Sequence, residues 1–75
     1  MDKVRSESGA LIKARASFGS GKNITINKFQ GKVYVHLFGK AGKTISLELD
    51  EYAKLVYMQD TVTEVAGELL KEVRI

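Results

Sequence analysis

The chain has 75 residues, a length that is enough for one small domain. A domain of this size buries only about 60% of the surface that its unfolded chain exposes, so it usually needs a disulfide, a metal or a partner subunit. The absence of cysteine excludes disulfides and thiolate metal sites, and the single histidine, His36, cannot form a zinc site by itself. We therefore expect no metal and no cofactor, and we expect a second subunit to complete the core.

The same composition predicts an intracellular protein without a membrane partner. The charges in residues 1–9 are followed by no apolar run, which predicts that there is no signal peptide. No stretch of about 18 apolar residues is present to predict a membrane span. A sequence without cysteine also fits a reducing compartment. The expected location is the cytoplasm or nucleoid, or the host cell cytoplasm if the protein is viral.

The net charge of +3 is unevenly distributed along the chain. Residues 1–47 carry nine Lys or Arg against two Asp or Glu, a net charge of +7. Residues 48–75 carry three against seven, a net charge of −4. This asymmetry indicates a first part that binds a polyanion. The alternative is that the basic residues only keep exposed strands soluble and protect sheet edges from pairing.

In chain order, the first predicted element is a flexible N-terminal arm over residues 1–8, followed by a single domain over residues 9–75. Alternating apolar residues then predict four strands, over residues 11–18, 23–29, 32–38 and 43–49. Each connection contains glycine, which supplies the positive φ that tight hairpins need. Short connections favour an antiparallel meander, so we expect a four-stranded sheet over about residues 10–49.

From about residue 50 to residue 73 the apolar period changes to three and four residues, which predicts one long helix. Glu48 or Asp50 is the expected N-cap. A helix of this length extends about 36 Å, whereas a seven-residue strand spans roughly 23 Å, so the helix should extend beyond the sheet. The alternative is a bend after residues 61–63, where β-branching lowers helix propensity. The apolar stripe predicted to form a homodimer interface consists of Leu55, Met58, Val62, Val65, Leu69 and Val73.

Strand alternation also predicts two chemically different faces of the sheet. Val33, Val35 and Leu37 should lie on an aliphatic face that can hold the helix. The opposite face should carry Lys13, Arg15, Phe29, Lys32, Tyr34, His36 and Phe38. Aromatic rings stack on unpaired bases while Lys and Arg neutralise phosphates, so this face predicts a single-stranded nucleic-acid site. The alternative is that the rings form cross-strand pairs or a second small core under the N-terminal arm.

The sequence predicts that the protein is not an enzyme. Gly42-Lys43-Thr44 is similar to the end of a phosphate-binding P-loop, but Leu37 stands where that motif needs its first glycine. A chain with no cysteine nucleophile and one histidine is also a poor candidate for triad or metal chemistry.

Two motifs suggest a family. FQGKV at residues 29–33 is followed by GKTISL at residues 42–47, and then by DEY at residues 50–52 with Leu55 one turn later. In this order and spacing, the segment 22–55 resembles the positive cofactor four family of transcriptional coactivators. The resemblance implies a curved four-stranded antiparallel sheet followed by one helix, an α+β fold. It also implies dimerisation through the helices and single-stranded DNA held across the sheets of both subunits.

The resemblance also assigns roles by position. Phe29 would stack on a base, and Lys32 and Lys43 would contact phosphates. Asn27 occupies a place where family members often carry arginine. The stacking tryptophan of the family is missing, which leaves Phe38 or Tyr34 as the candidate second platform. Because the Ser-rich regulatory tail of eukaryotic members is absent, we expect a stand-alone bacterial or phage member.

The predicted function is sequence-independent binding of single-stranded DNA by a homodimer, in support of transcription, replication or recombination, with melted duplex or RNA as weaker ligands. The predicted nucleic-acid-binding residues are Lys13, Arg15, Asn27, Lys28, Phe29, Lys32, Tyr34, His36, Phe38, Lys40 and Lys43. Two alternatives remain. One is an adaptor or coactivator whose acidic helix binds transcription or replication proteins, and the other is an RNA chaperone that uses the same sheet face.

Overall fold

The computed structural model of the chain describes residues 1–72, and it has an α+β architecture. A five-stranded antiparallel sheet is followed by two helices, and the strands lie in the sheet in the order in which they occur in the chain. The strands are β1 (Asp2–Arg5), β2 (Leu11–Gly19), β3 (Lys22–Phe29), β4 (Lys32–Phe38) and β5 (Thr44–Glu48). The helices are α1 (Leu49–Tyr57) and α2 (Gln59–Glu72). The predicted α+β class and antiparallel meander are confirmed.

The register of the central hairpin is continuous. β3 and β4 pair without a shift from Asn23 opposite Phe38 to Phe29 opposite Lys32. The connecting residues Gln30 and Gly31 both have positive φ, 50° and 79°, as a type I′ hairpin turn requires. Directly opposed residues of an antiparallel pair project to the same face of the sheet, so this register extends the alternation of β4 to β3.

Residues 2–5 form a strand, which corrects the prediction of a flexible arm over residues 1–8. β1 pairs with the edge of β2, with Asp2 opposite Arg15 and Val4 opposite Lys13. The segment DKVR contains one apolar residue, so it has no alternation from which a strand could be predicted. The strand is instead stabilised by the edge of β2, whose unpaired backbone groups accept another strand.

The C-terminal region forms two helices, which corrects the prediction of one helix over residues 50–73. The break falls at Met58, whose backbone N–H donates to the carbonyl of Leu55 at 3.1 Å. This bond spans three residues, so the last turn of α1 is tighter than an α-helix. The alternative placed a bend after residues 61–63, but α2 continues through these residues and the break lies before them. Glu48 is the N-cap of α1, and its backbone N–H donates to Oε1 of Glu51 at 2.9 Å, as in a capping box.

The hydrophobic core of the chain is small. Within residues 1–71, only Ala14 and Val35 are buried hydrophobic side chains, at 5% and 2% exposure. Val35 lies at the centre of the sheet, opposite Ile26 on β3 and Leu47 on β5. The helix α1 contacts β4 and β5, whereas the main contacts of α2 are with α1. The molecule is consequently elongated, measuring 60 × 25 × 19 Å. Within residues 1–72, no helix is both long and apolar enough to cross a bilayer.

Val35→Ala is expected to lower the free energy of unfolding by about 2 kcal/mol, because it removes two buried methyl groups and leaves a gap at the centre of the sheet. Urea denaturation followed by circular dichroism measures this change. Val4→Ala is the matched control, since Val4 is 44% exposed and should cost less than about 0.5 kcal/mol. Equal losses of unfolding free energy in the two variants would show that Val35 is not the centre of the core.

Candidate nucleic-acid interface

The register divides the sheet into two faces, here called the open face and the back face. The open face comprises the residues paired in rows with Tyr34, His36 and Phe38, and the back face those paired with Val33, Val35 and Leu37. On β2 to β5 the open face carries Lys13, Arg15, Ser17, Asn23, Thr25, Asn27, Phe29, Lys32, Tyr34, His36, Phe38, Thr44, Ser46 and Glu48. The back face carries Ala14, Ala16, Ile24, Ile26, Lys28, Val33, Val35, Leu37, Ile45 and Leu47.

Three rings run along β4 on the open face. The centroids of Tyr34 and His36 are 6.2 Å apart, with an angle of 22° between the ring planes. The centroids of His36 and Phe38 are 6.3 Å apart, at 47°. This spacing follows from the two-residue repeat of a strand, which is about 6.6 Å. Phe29, on the neighbouring strand, lines the same depression as Tyr34 and is 61% exposed. The rings of Tyr34, His36 and Phe38 therefore form a continuous row, and Phe29 adds a fourth ring beside the depression at the Tyr34 end.

His36 links three strands, because each of its two ring nitrogens takes part in a hydrogen bond with a neighbouring strand. Nε2 lies 2.9 Å from Oδ1 of Asn27 on β3, and Nδ1 lies 2.8 Å from Oγ of Ser46 on β5. An amide oxygen can only accept, so Nε2 carries a hydrogen and donates to Asn27. In the neutral ring, Nδ1 then accepts from the hydroxyl of Ser46. The sequence prediction omitted Ser46, although its position opposite His36 follows from the register of β4 and β5.

Two depressions lie on the open face, and both are lined by strand residues alone. One has a volume of about 280 Å³ and is lined by Lys13, Arg15, Asn23, Thr25 and Phe38. The other has a volume of about 240 Å³ and is lined by Asn27, Phe29, Tyr34, His36 and Ser46. The fold thus brings two predicted cations, Lys13 and Arg15, beside the ring of Phe38. It gathers the other rings in a neutral depression further along the same face.

Lys32 is paired with an acid. Its Nζ lies 3.3 Å from Oε1 of Glu48, and both side chains are substantially exposed. The hydrogen bond to Glu48 and its negative charge raise the pKa of Lys32 above the ordinary value of 10.5. A phosphate at Lys32 would therefore have to compete with Glu48. The sequence prediction did not include Glu48 in the site. The register places Glu48 opposite Tyr34, and Lys32 lies two residues before Tyr34 on the same face of β4.

Three predicted lysines do not lie among the open-face rings. Lys28 is opposite Val33 and is on the back face, so the register separates it from Phe29. Lys40 lies in a 3₁₀ turn (Lys40–Gly42), where its side chain covers Gly21, and a Cβ at Gly21 would be 2.9 Å from its Cγ. Lys43 lines a depression at the end of the sheet with Phe18 and other residues of both faces. Their charge alone could not reveal these positions.

Within residues 1–72, no three His, Asp or Glu side chains gather where they could hold a metal ion. Comparison of the chain with protein-family models, curated proteins and solved structures gives no match. The resemblance to the positive cofactor four family therefore stays a prediction that depends on the residues quoted above.

Glu48→Gln is expected to lower the pKa of Lys32 toward 10.5, because it removes the largest cause of the upward shift. The pair favours charged Lys32, so its contribution to stability is present below the unfolded-state pKa and disappears as the pH rises through the raised pKa. Titration of the Lys32 Cε resonance by NMR measures the change. Asp50→Asn is the control, since Asp50 is the smallest cause and should have less effect. An unchanged Lys32 pKa in Glu48→Gln would contradict the pairing.

Proposed function

We propose that the open face binds single-stranded DNA with little sequence dependence, and that the binding unit is a homodimer. The observation that carries the proposal is the row of rings formed by Tyr34, His36 and Phe38 on one face of the sheet. Phe29 lines a depression at one end of this row, and Lys13 and Arg15 line a depression with Phe38 at the other. Such a protein would support transcription, replication or recombination, as the resemblance to the positive cofactor four family also suggests.

The chemistry of this face favours unpaired bases over a duplex. Every base has a π face, so stacking on an aromatic side chain stabilises binding by about 1–3 kcal/mol per base with little regard to sequence. A duplex hides these base faces, whereas a single strand can present them while its phosphates approach cations. Lys13 and Arg15 supply cations that are not held in an ion pair within residues 1–72. Lys32 adds a third charge when phosphate displaces Glu48.

The dimer is proposed from the exposure of the helical stripe. Leu55, Met58, Val62, Val65 and Leu69 are each between 49% and 58% exposed, and the sixth predicted interface residue, Val73, lies outside the described residues. A core with only two buried hydrophobic side chains within residues 1–71 leaves these large apolar side chains about half exposed to water. A second copy presents the same stripe, so a two-fold axis can cover both stripes with one contact.

An adaptor role is the second candidate, and the exposed helix α2 favours it. Asp60, Glu64 and Glu68 lie on this helix and are exposed, and Tyr57, immediately before the break, is 92% exposed. An acidic helix with exposed apolar residues is a surface that a basic, amphipathic partner from the transcription or replication machinery could bind. In this role, nucleic-acid binding would be incidental.

Phe29→Ala is expected to weaken binding of a fluorescein-labelled single-stranded oligonucleotide by about 1–3 kcal/mol, because one stacking platform is lost. Fluorescence anisotropy measures the affinity, and circular dichroism checks that the variant is folded. Ile45→Ala is the matched control, since Ile45 is similarly exposed at 62% but belongs to the back face. Ile45→Ala should leave the affinity unchanged.

Two results would contradict the proposal in different ways. Unchanged affinity in folded Phe29→Ala would show that the aromatic surface does not stack on bases. Wild-type binding no tighter than nonspecific background at physiological salt would favour the adaptor role, because only that role requires no specific grip on DNA.

Leu69→Asp is expected to convert the dimer to a monomer, because it places a charge in the middle of an apolar contact between two helices. Light scattering measures the mass of the particle. Thr63→Asp adds the same charge to α2 outside the stripe and should leave a dimer. A wild-type protein that is a stable, fully active monomer would refute the interface.

A further inference from the structure

The side chains of the open face are arranged in columns that run along the strands. The column on β4 consists of the rings of Tyr34, His36 and Phe38. The column on β3, beside it, consists of small polar groups, and the column on β2, beyond β3, supplies two cations. These residues are Asn23, Thr25 and Asn27 on β3, and Lys13 and Arg15 on β2. Rings and cations therefore run side by side, with one polar strand between them.

Acidic side chains border these columns on both sides. The five strands contain two acids, Asp2 and Glu48, and both project to the open face from the outermost strands, β1 and β5. A phosphate chain that lay on either outer strand would meet one of them. Lys13 and Arg15, in contrast, line a depression that extends across β3 to Phe38. The charge of the open face therefore favours phosphates over β3.

The spacing of the rings restricts the ligand that can lie on them. Successive centroids are 6.2 and 6.3 Å apart, which is nearly twice the rise of about 3.4 Å between stacked bases of one strand. An extended sugar-phosphate chain can separate neighbouring bases by this distance, so that one base meets each ring. A strand that crossed the sheet would instead meet one ring of β4 and then an acid or a hydroxyl group on β5.

We infer that the open face takes an extended, unstacked single strand that runs along β4, with one base on each ring and its phosphates over β3, toward Lys13 and Arg15. The inference rests on the proposed binding of single-stranded DNA and adds the path and the conformation of the ligand. Phe29, at the Tyr34 end of the row, adds a fourth platform, so one subunit covers about four nucleotides. A strand held at this repeat cannot pair with its complement, because a duplex requires the shorter rise.

Paramagnetic broadening can locate the ends of a bound tetranucleotide. A nitroxide is attached to its first nucleotide in one sample and to its last in another, and the amide signals of the protein are followed by NMR. The amides at the two ends of β4, Lys32 and Phe38, should be broadened most. Those at the ends of the central row, Arg15 and Ser46, should be broadened less. The opposite order would show that the strand crosses the sheet, and would overturn the inference.

The contact of one base with each ring predicts how affinity depends on length. Wild-type protein should bind a tetranucleotide at least about fivefold more tightly than a trinucleotide, because one more base reaches a ring. Phe38→Leu removes the last ring of the row, so it should abolish this gain and leave the affinity for a dinucleotide nearly unchanged. Circular dichroism checks that the variant is folded.

Tyr57→Leu is the matched control for this variant. Tyr57 is 92% exposed at the end of α1 and belongs to neither face of the sheet, so its replacement should change none of these affinities. Equal weakening of the dinucleotide and the tetranucleotide by Phe38→Leu would overturn the arrangement of one base on each ring.

The dependence of affinity on salt tests where the phosphates lie. Arg15→Ala should reduce the slope of log affinity against log salt by about 0.7, since one phosphate contact is lost. Lys54→Ala removes a like charge from α1 and should leave the slope unchanged. An unchanged slope in folded Arg15→Ala would overturn the placement of the phosphates on the β2 side.

Failure of this inference is distinguishable from failure of the proposed function. Tight binding of a long single strand, with no detectable binding of the tetranucleotide by NMR, overturns the path along β4 while the proposed function stands. If the wild type binds no single strand of any length, the proposed function fails as well.

Discussion

The register of the β3–β4 hairpin is the constraint on which the rest of the structure depends. Because side chains alternate along a strand, a slip of one residue would move Tyr34 to the back face and Val35 to the open face. The two-residue turn at Gln30 and Gly31, with positive φ at both positions, is compatible with the register that is found. The same register aligns His36 with Ser46 and brings it within reach of Asn27.

The two faces that result differ in their chemistry and in how far their side chains are fixed within one chain. On the open face, the rings of β4 lie beside one another and His36 is hydrogen-bonded on both sides, so the surface is ordered before any ligand arrives. Such preorganisation lowers the entropic cost of binding. The back face is apolar and partly covered by α1, whereas the helical stripe is apolar and about half exposed. One side of the molecule therefore has the chemistry of the proposed nucleic-acid surface, and the helical stripe has the chemistry of the proposed dimer contact.

Strand alternation was sufficient to predict β2 to β5 within one residue at each end, because each of these strands has a clear period of two and follows a glycine-containing connection. The assignment of side chains to faces followed from the same pattern. The strand β1 was not predictable, since the edge of β2 and not its own sequence stabilises it. The position of Lys28 on the back face also follows from this alternation, because Lys28 continues the series of Ile24 and Ile26; including it among the binding residues relied on its charge alone. The break at Met58 and the Lys32–Glu48 pair depend on three-dimensional geometry that charge and periodicity do not encode.

The most direct measurement is a ¹H–¹³C NMR titration of the labelled protein with single-stranded DNA, which observes both faces at once. If the open face is the binding surface, the ring signals of Phe29, Tyr34 and Phe38 will move upfield as bases stack on them, while the methyl signals of back-face Ile26 and Ile45 stay in place. Shifts confined to the back-face methyl groups, with the three rings unaffected, would contradict the account.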